Sequence, residues 1–81
     1  MTNRPQFRRI RFIHRQLQEN RYPNANTIAN DWHIECSPRT VKRDIEYMRD
    51  EMNAPIEYDN SRRGYYYAET GYDLPSVLMV T

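Results

Sequence analysis

The chain has 81 residues, 38% hydrophobic and 28% charged, with a formal net charge of +1. That length holds one small domain and excludes a catalytic cleft built between domains or an array of repeats. The net charge conceals two opposed blocks: residues 1–15 carry Arg4, Arg8, Arg9, Arg11 and Arg15 with no acid, whereas residues 44–59 carry Asp44, Glu46, Asp50, Glu51, Glu57 and Asp59 against Arg49 alone.

Phe7, Ile10, Ile13, His14 and Leu17 recur at helical spacing, which predicts a first helix from about Pro5 to Asn20. Phe12 lies off that stripe, as a surface residue or as a contact with something outside the domain. Arg21-Tyr22-Pro23 breaks the helix. Asn24 then supplies the N-cap of a second helix, about two turns long, through Ala25, Ile28, Ala29 and Trp32. Ser37 as N-cap, with Pro38 at the first helical position where a missing N–H costs nothing, opens a third helix over 38–52. Its apolar stripe is Val41, Ile45, Met48 and Met52, and Asn53 with Pro55 stops it. Ile56-Glu57-Tyr58 alternates as a strand, residues 59–64 form a polar turn, and Tyr65-Tyr66-Tyr67 returns as a second strand with Tyr65 and Tyr67 packed on Ile56, Tyr58 and the third helix. The expected fold class is α+β, mostly α: a winged helix-turn-helix over residues 1–68, three helices followed by a two-stranded hairpin wing. Residues 69–81, interrupted by Gly71 and Pro75 and ending in Val77-Leu78-Met79-Val80, read as a linker or the start of a following domain.

The third helix carries its charges in an order that opposes its own stability. Arg39 and Arg43 sit at i, i+4 opposite Val41 and Ile45, in the turns where the helix dipole favours acids, and Glu46 and Asp50 follow where it favours cations. A broken local rule of this kind marks a functional face. Guanidinium forks and free N–H groups at a helix start suit an anion. In a helix-turn-helix the third helix enters the major groove, so Arg39 and Arg43 are expected to face base edges, with guanine O6 and N7 as bidentate target. Ser37, Thr40 and Lys42 flank them toward the backbone. Arg62 and Arg63 at the wing tip reach a phosphate or the adjacent minor groove. Tyr47 and Tyr66 are candidates for phosphate hydrogen bonds, and Arg4, Arg8, Asn24 and Asn26, at the starts of the first two helices, for backbone contacts.

Other chemistries are poorly supplied. His33 and Cys36, beside Asp31 and Glu35, give two strong ligands, half of a tetrahedral zinc site, with no second pair. His14 reads as an edge residue of the first helix's apolar face, and Cys36 as a small packed residue rather than a nucleophile. Glycine-rich phosphate loops and serine elbows are absent from the sequence. No catalytic residue, metal or cofactor is expected. One cysteine, no signal-like apolar run and no bilayer-spanning stretch give a cytoplasmic reading with no membrane partner. The expected partner is double-stranded DNA; the alternative is a winged helix whose arginines meet an acidic protein.

The run Ser37-Pro38-Arg39-Thr40-Val41-Lys42-Arg43-Asp44-Ile45-Glu46-Tyr47-Met48, then Ala54-Pro55-Ile56-Glu57-Tyr58-Asp59 and Arg63-Gly64-Tyr65-Tyr66-Tyr67, resembles the N-terminal winged helix of WYL-domain bacterial transcriptional regulators, and is similar to DeoR-type domains. The resemblance covers about residues 5–76. It implies a DNA-binding domain that precedes a ligand-sensing domain, in proteins that usually form homodimers and regulate transcription; any effector would act through that further domain. Between Ile28-Ala29 and Ser37 the chain is slightly longer than the family's pattern, with Trp32-His33-Ile34 in the gap, which predicts a longer turn.

Overall fold

The computed structural model describes residues 4–75, with helices α1 (Arg4–Gln18), α2 (Ala25–Ala29) and α3 (Pro38–Glu51), then strands β1 (Ile56–Asp59) and β2 (Gly64–Tyr67). This is the expected winged helix. The expected stretch Val77–Val80 lies outside the described residues.

Helix ends are set by polar caps and left-handed residues. α1 stops before Arg21-Tyr22-Pro23, because Asn20 adopts a φ of 55° and turns the chain. Arg21 N–H then donates to Gln16 O and Asn20 N–H to Leu17 O, closing the last carbonyls. Asn24 caps α2, its Oδ1 accepting from Thr27 N–H at 2.8 Å, and Ser37 caps α3, its Oγ accepting from Thr40 N–H at 3.2 Å. α2 is shorter than the sequence suggests and does not include Trp32. Asn30 ends it, and Asp31 folds the following turn by accepting from His33 N–H at 2.9 Å. Trp32 is thereby thrown outward, 75% exposed, and Ile34 is the half-buried apolar residue of the turn.

β1 and β2 pair antiparallel, with Ile56 opposite Tyr67 and Tyr58 opposite Tyr65. The hairpin is fastened to the α1–α2 loop rather than left free. Tyr65 N–H donates to Pro23 O at 2.8 Å, and Tyr66 packs its ring on Tyr22 at 5.7 Å. Gly64 makes this approach possible: a Cβ there would stand 1.8 Å from the Tyr22 carbonyl oxygen. Gly64→Ala is therefore expected to push the hairpin off the loop and cost about 1–3 kcal/mol, as overpacking against backbone does, read as a lower urea midpoint.

The core joins Ile10, Ile13 and Leu17 of α1, Ile28 and Ala29 of α2, Val41, Ile45 and Met48 of α3, and Ile56 of β1. Met52 is only half-buried, because α3 ends before it, and Phe12 packs partly against this core. Two polar residues lie among the apolar ones. Asp44 is 2% exposed and takes Arg9 Nε at 2.5 Å and Nη2 at 3.2 Å, with Gln6 Nε2 at 3.4 Å. His14, read as an edge residue, is 3% exposed. Its Nδ1 shares a 2.7 Å hydrogen bond with Tyr67 Oη, and Nε2 stands 3.2 Å from Asp73 Oδ1 without hydrogen-bond alignment. The segment 69–75, part of the stretch read as a linker or the start of a following domain, lies on this site: Leu74 is buried and Tyr72 O–H donates to Met52 O at 2.7 Å.

Burial holds His14 below the ordinary imidazole value, against the pull of Asp73. The unfolded chain therefore binds a proton near pH 6.5 that the folded chain refuses. This contribution to stability is present above about pH 6.5 and lost as pH falls below it. Urea midpoints at about pH 7.5 and pH 5 are expected to differ more in the native chain than in His14→Gln.

Candidate nucleic-acid interface

α3 turns Val41, Asp44, Ile45 and Met48 inward and leaves Arg39, Lys42, Arg43, Glu46 and Tyr47 exposed. The Arg9 fork on Asp44 fixes that orientation from beneath. The Ser37 and Thr40 hydroxyls, 3.0 Å apart, are engaged with each other at the cap. Among the described residues none of Arg39, Lys42, Arg43 and Arg63 is in an ion pair, so these cations carry their charge unneutralised.

Three elements meet in one hollow of about 390 Å³: Asn24 and Asn26 from the start of α2, Lys42 from α3, and Tyr58, Arg63 and Tyr65 from the hairpin. Its two charged lining groups are both cations. Asn24 spends its carbonyl oxygen on the α2 cap, leaving its amide group to donate outward. Tyr58 and Tyr65 meet edge to face at 5.0 Å and form the aromatic wall. The hollow thus offers cationic and amide donors above aromatic rings, suited to a phosphate oxygen and its sugar.

The hairpin tip divides its two arginines. Asp59 Oδ1 accepts from Ser61 and Arg62 N–H at 2.8 and 3.0 Å, and Arg63 takes a φ of 56°, so the chain reverses between them. Arg63 lines the hollow, whereas Arg62 lies over the Tyr22 ring at 4.5 Å. Tyr66 is on that same Tyr22 side, on the opposite face of the strand from Tyr65. Arg8 sits on the side of α1 turned away from its buried stripe, apart from the hollow, and the side chain of Arg4 lies outside the described residues. Tyr65 packs partly against the core, as the sequence suggests, and also lines the hollow, whereas its partner Tyr58 is 45% exposed and serves as wall rather than core. Tyr58 and Tyr65 are cross-strand partners two residues nearer the tip than Ile56 and Tyr67, a register that the sequence pattern does not specify.

Around the competing chemistry, His33 Nδ1 is 3.0 Å from Asp31 Oδ1, and His33 donates its backbone N–H to the Asp31 carboxyl, holding it below the usual range. Burial pushes the Cys36 thiol up, away from the thiolate form. Among the described residues no three His, Cys, Asp or Glu side chains are grouped to hold a metal ion, and no helix is long and apolar enough to cross a membrane.

Three helices with a capped basic third helix, followed by an antiparallel hairpin, define a winged helix-turn-helix, a class of DNA-binding domain. The chain belongs to the helix-turn-helix family whose description is "HTH domain", matched over residues 9–66. The family is one of DNA-binding domains rather than enzymes. Comparison with curated proteins gives no match, and comparison with solved structures gives none.

Proposed function

We propose that this chain is the sequence-reading domain of a transcriptional regulator, with α3 in the major groove of duplex DNA and the hairpin on the flanking backbone. The observation that carries the reading is the convergence of Lys42, Arg63, Asn24 and Asn26 from three elements on one hollow beside the exposed leading end of α3. A phosphate in that hollow sets the register of α3, and Arg39 and Arg43 then read base edges. Ser37 and Thr40 keep the helix start intact, and Tyr47, 37% exposed, lies one turn beyond Arg43 on the same helix. Arg62 approaches the backbone from the Tyr22 side. One domain contacts few base pairs, so useful specificity calls for two copies on neighbouring half-sites. The resemblance to WYL-domain regulators supports a bacterial regulator in which a further domain senses an effector.

Selection from a pool of randomised duplexes tests the reading. The expected result is an enriched sequence bound at least about tenfold more tightly than the starting pool. A domain that holds all duplexes equally would be a backbone binder, and one that holds none would meet an acidic protein instead.

A further inference from the structure

Two oppositely charged surfaces remain beyond Arg39, Lys42, Arg43 and Arg63. The first is a groove of about 480 Å³ on the outward side of α1, where Arg8, Arg11 and Arg15 surround Phe12 and the turn after α2 adds His33 and Ile34. Trp32, next to His33 in the chain and 75% exposed, rests its ring 3.7 Å from the imidazole. Glu19 is the acid of this groove, and it is engaged by Arg21 at 2.6 Å and Arg15 at 3.8 Å. Arg8 and Arg11 make no ion pair among the described residues.

The second surface is the closing half of α3. Glu46, Asp50 and Glu51 are exposed there without an ion-pair partner among the described residues, and the exposed Arg49 between them offsets one of the three charges, leaving the surface net acidic. They stand toward the negative end of the helix dipole, where acids are unfavourable. A phosphate backbone repels this end, whereas guanidinium groups relieve it. α1 and α3 pack their inward sides together through Arg9, Gln6 and Asp44, so their outward sides face apart and cannot meet within one copy.

We propose that these surfaces dock between two copies of this chain, head to tail, with the acidic end of α3 of one copy in the arginine-rimmed groove of α1 of the next. Charge complementarity selects a second copy, since this chain supplies both the acids and the basic groove, and Phe12 and Ile34 give the groove an apolar lining, with Trp32 exposed beside His33. A heterologous contact repeats one orientation. Copies joined in this way favour half-sites arranged as direct repeats rather than inverted ones. That corollary rests on the proposed DNA reading; the contact between copies does not.

Sedimentation velocity of the full chain, without DNA, at about 50 and 500 mM salt tests the contact, because screening shortens from beyond 10 Å to a few ångströms over that range. The native chain is expected to sediment faster than a monomer at low salt and as a monomer at high salt. Arg8→Glu with Arg15→Glu is expected to weaken self-association at least tenfold, as is Glu46→Arg with Asp50→Arg, and an equimolar mixture of these two charge-reversed chains restores it. Circular dichroism melts establish that both variants are folded. A native chain that stays monomeric at low salt, or folded variants that remain monomeric when mixed, would overturn the proposal. Duplex binding by a single copy is measured separately, so its failure would not be confused with this one.

Discussion

Asp44→Ala is expected to lower stability by about 3–5 kcal/mol, the loss incurred when one partner of a buried ion pair is removed. The carboxylate is 2% exposed and satisfied by the Arg9 fork and the Gln6 amide, so its removal leaves Arg9 part-buried, uncompensated and beside a cavity. A domain of this size has roughly 4–12 kcal/mol in total, so the variant stands near the edge of unfolding at room temperature. Urea denaturation checks the number. Replacing both partners, Arg9→Met with Asp44→Leu, is expected to recover much of the loss, because an apolar pair needs no desolvated charge. A loss below about 1 kcal/mol for Asp44→Ala would mean that α3 is held to α1 by apolar contacts alone. The consequence reaches function, since this pair orients the helix that carries Arg39 and Arg43.

The second large effect concerns sequence discrimination. Arg39→Ala or Arg43→Ala is expected to reduce the preference for the selected duplex over a mismatched one by about 1–3 kcal/mol, the value of one bidentate arginine–guanine pairing. Lys42→Ala or Arg63→Ala is expected to weaken both duplexes alike, because a phosphate carries no sequence information. Both sets are exposed and free of ion pairs among the described residues, so the comparison is not clouded by reduced folding energy. Titrating each variant against the two duplexes separates the roles. Equal losses on both duplexes for all four would remove the base-reading assignment.

What the sequence shows and what it hides have physical causes. α3 is legible end to end, because Ser37-Pro38 is a local start signal and Asn53, with a φ of 53°, a local stop. The end of α2 is not, since Trp32 continues the apolar spacing while the Asp31 side chain, bonded to His33 N–H, decides the turn. Asp44 counts in sequence as one acid of a solvated block, and only the approach of Arg9 from 35 residues away makes it a core residue. His14 likewise takes its partners from Tyr67 and Asp73, far along the chain. The basic wing is visible as Arg62-Arg63, but their division is not. It follows from the left-handed Arg63 and from Tyr22, whose ring takes Arg62 and whose carbonyl presses on Gly64. The placing of Tyr58 and Tyr65 on the hollow depends on register, which alternation alone leaves open.

Whether the hollow holds DNA phosphate is decided by the salt dependence of duplex binding, measured by fluorescence anisotropy with the native chain and with Lys42→Ala plus Arg63→Ala between about 50 and 200 mM salt. If it does, log affinity falls linearly with log salt, and the double variant's slope is shallower by about 0.9 for each phosphate that is no longer neutralised. Unchanged slopes in the double variant, or no binding at the lowest salt, would refute the DNA-reading assignment of this face.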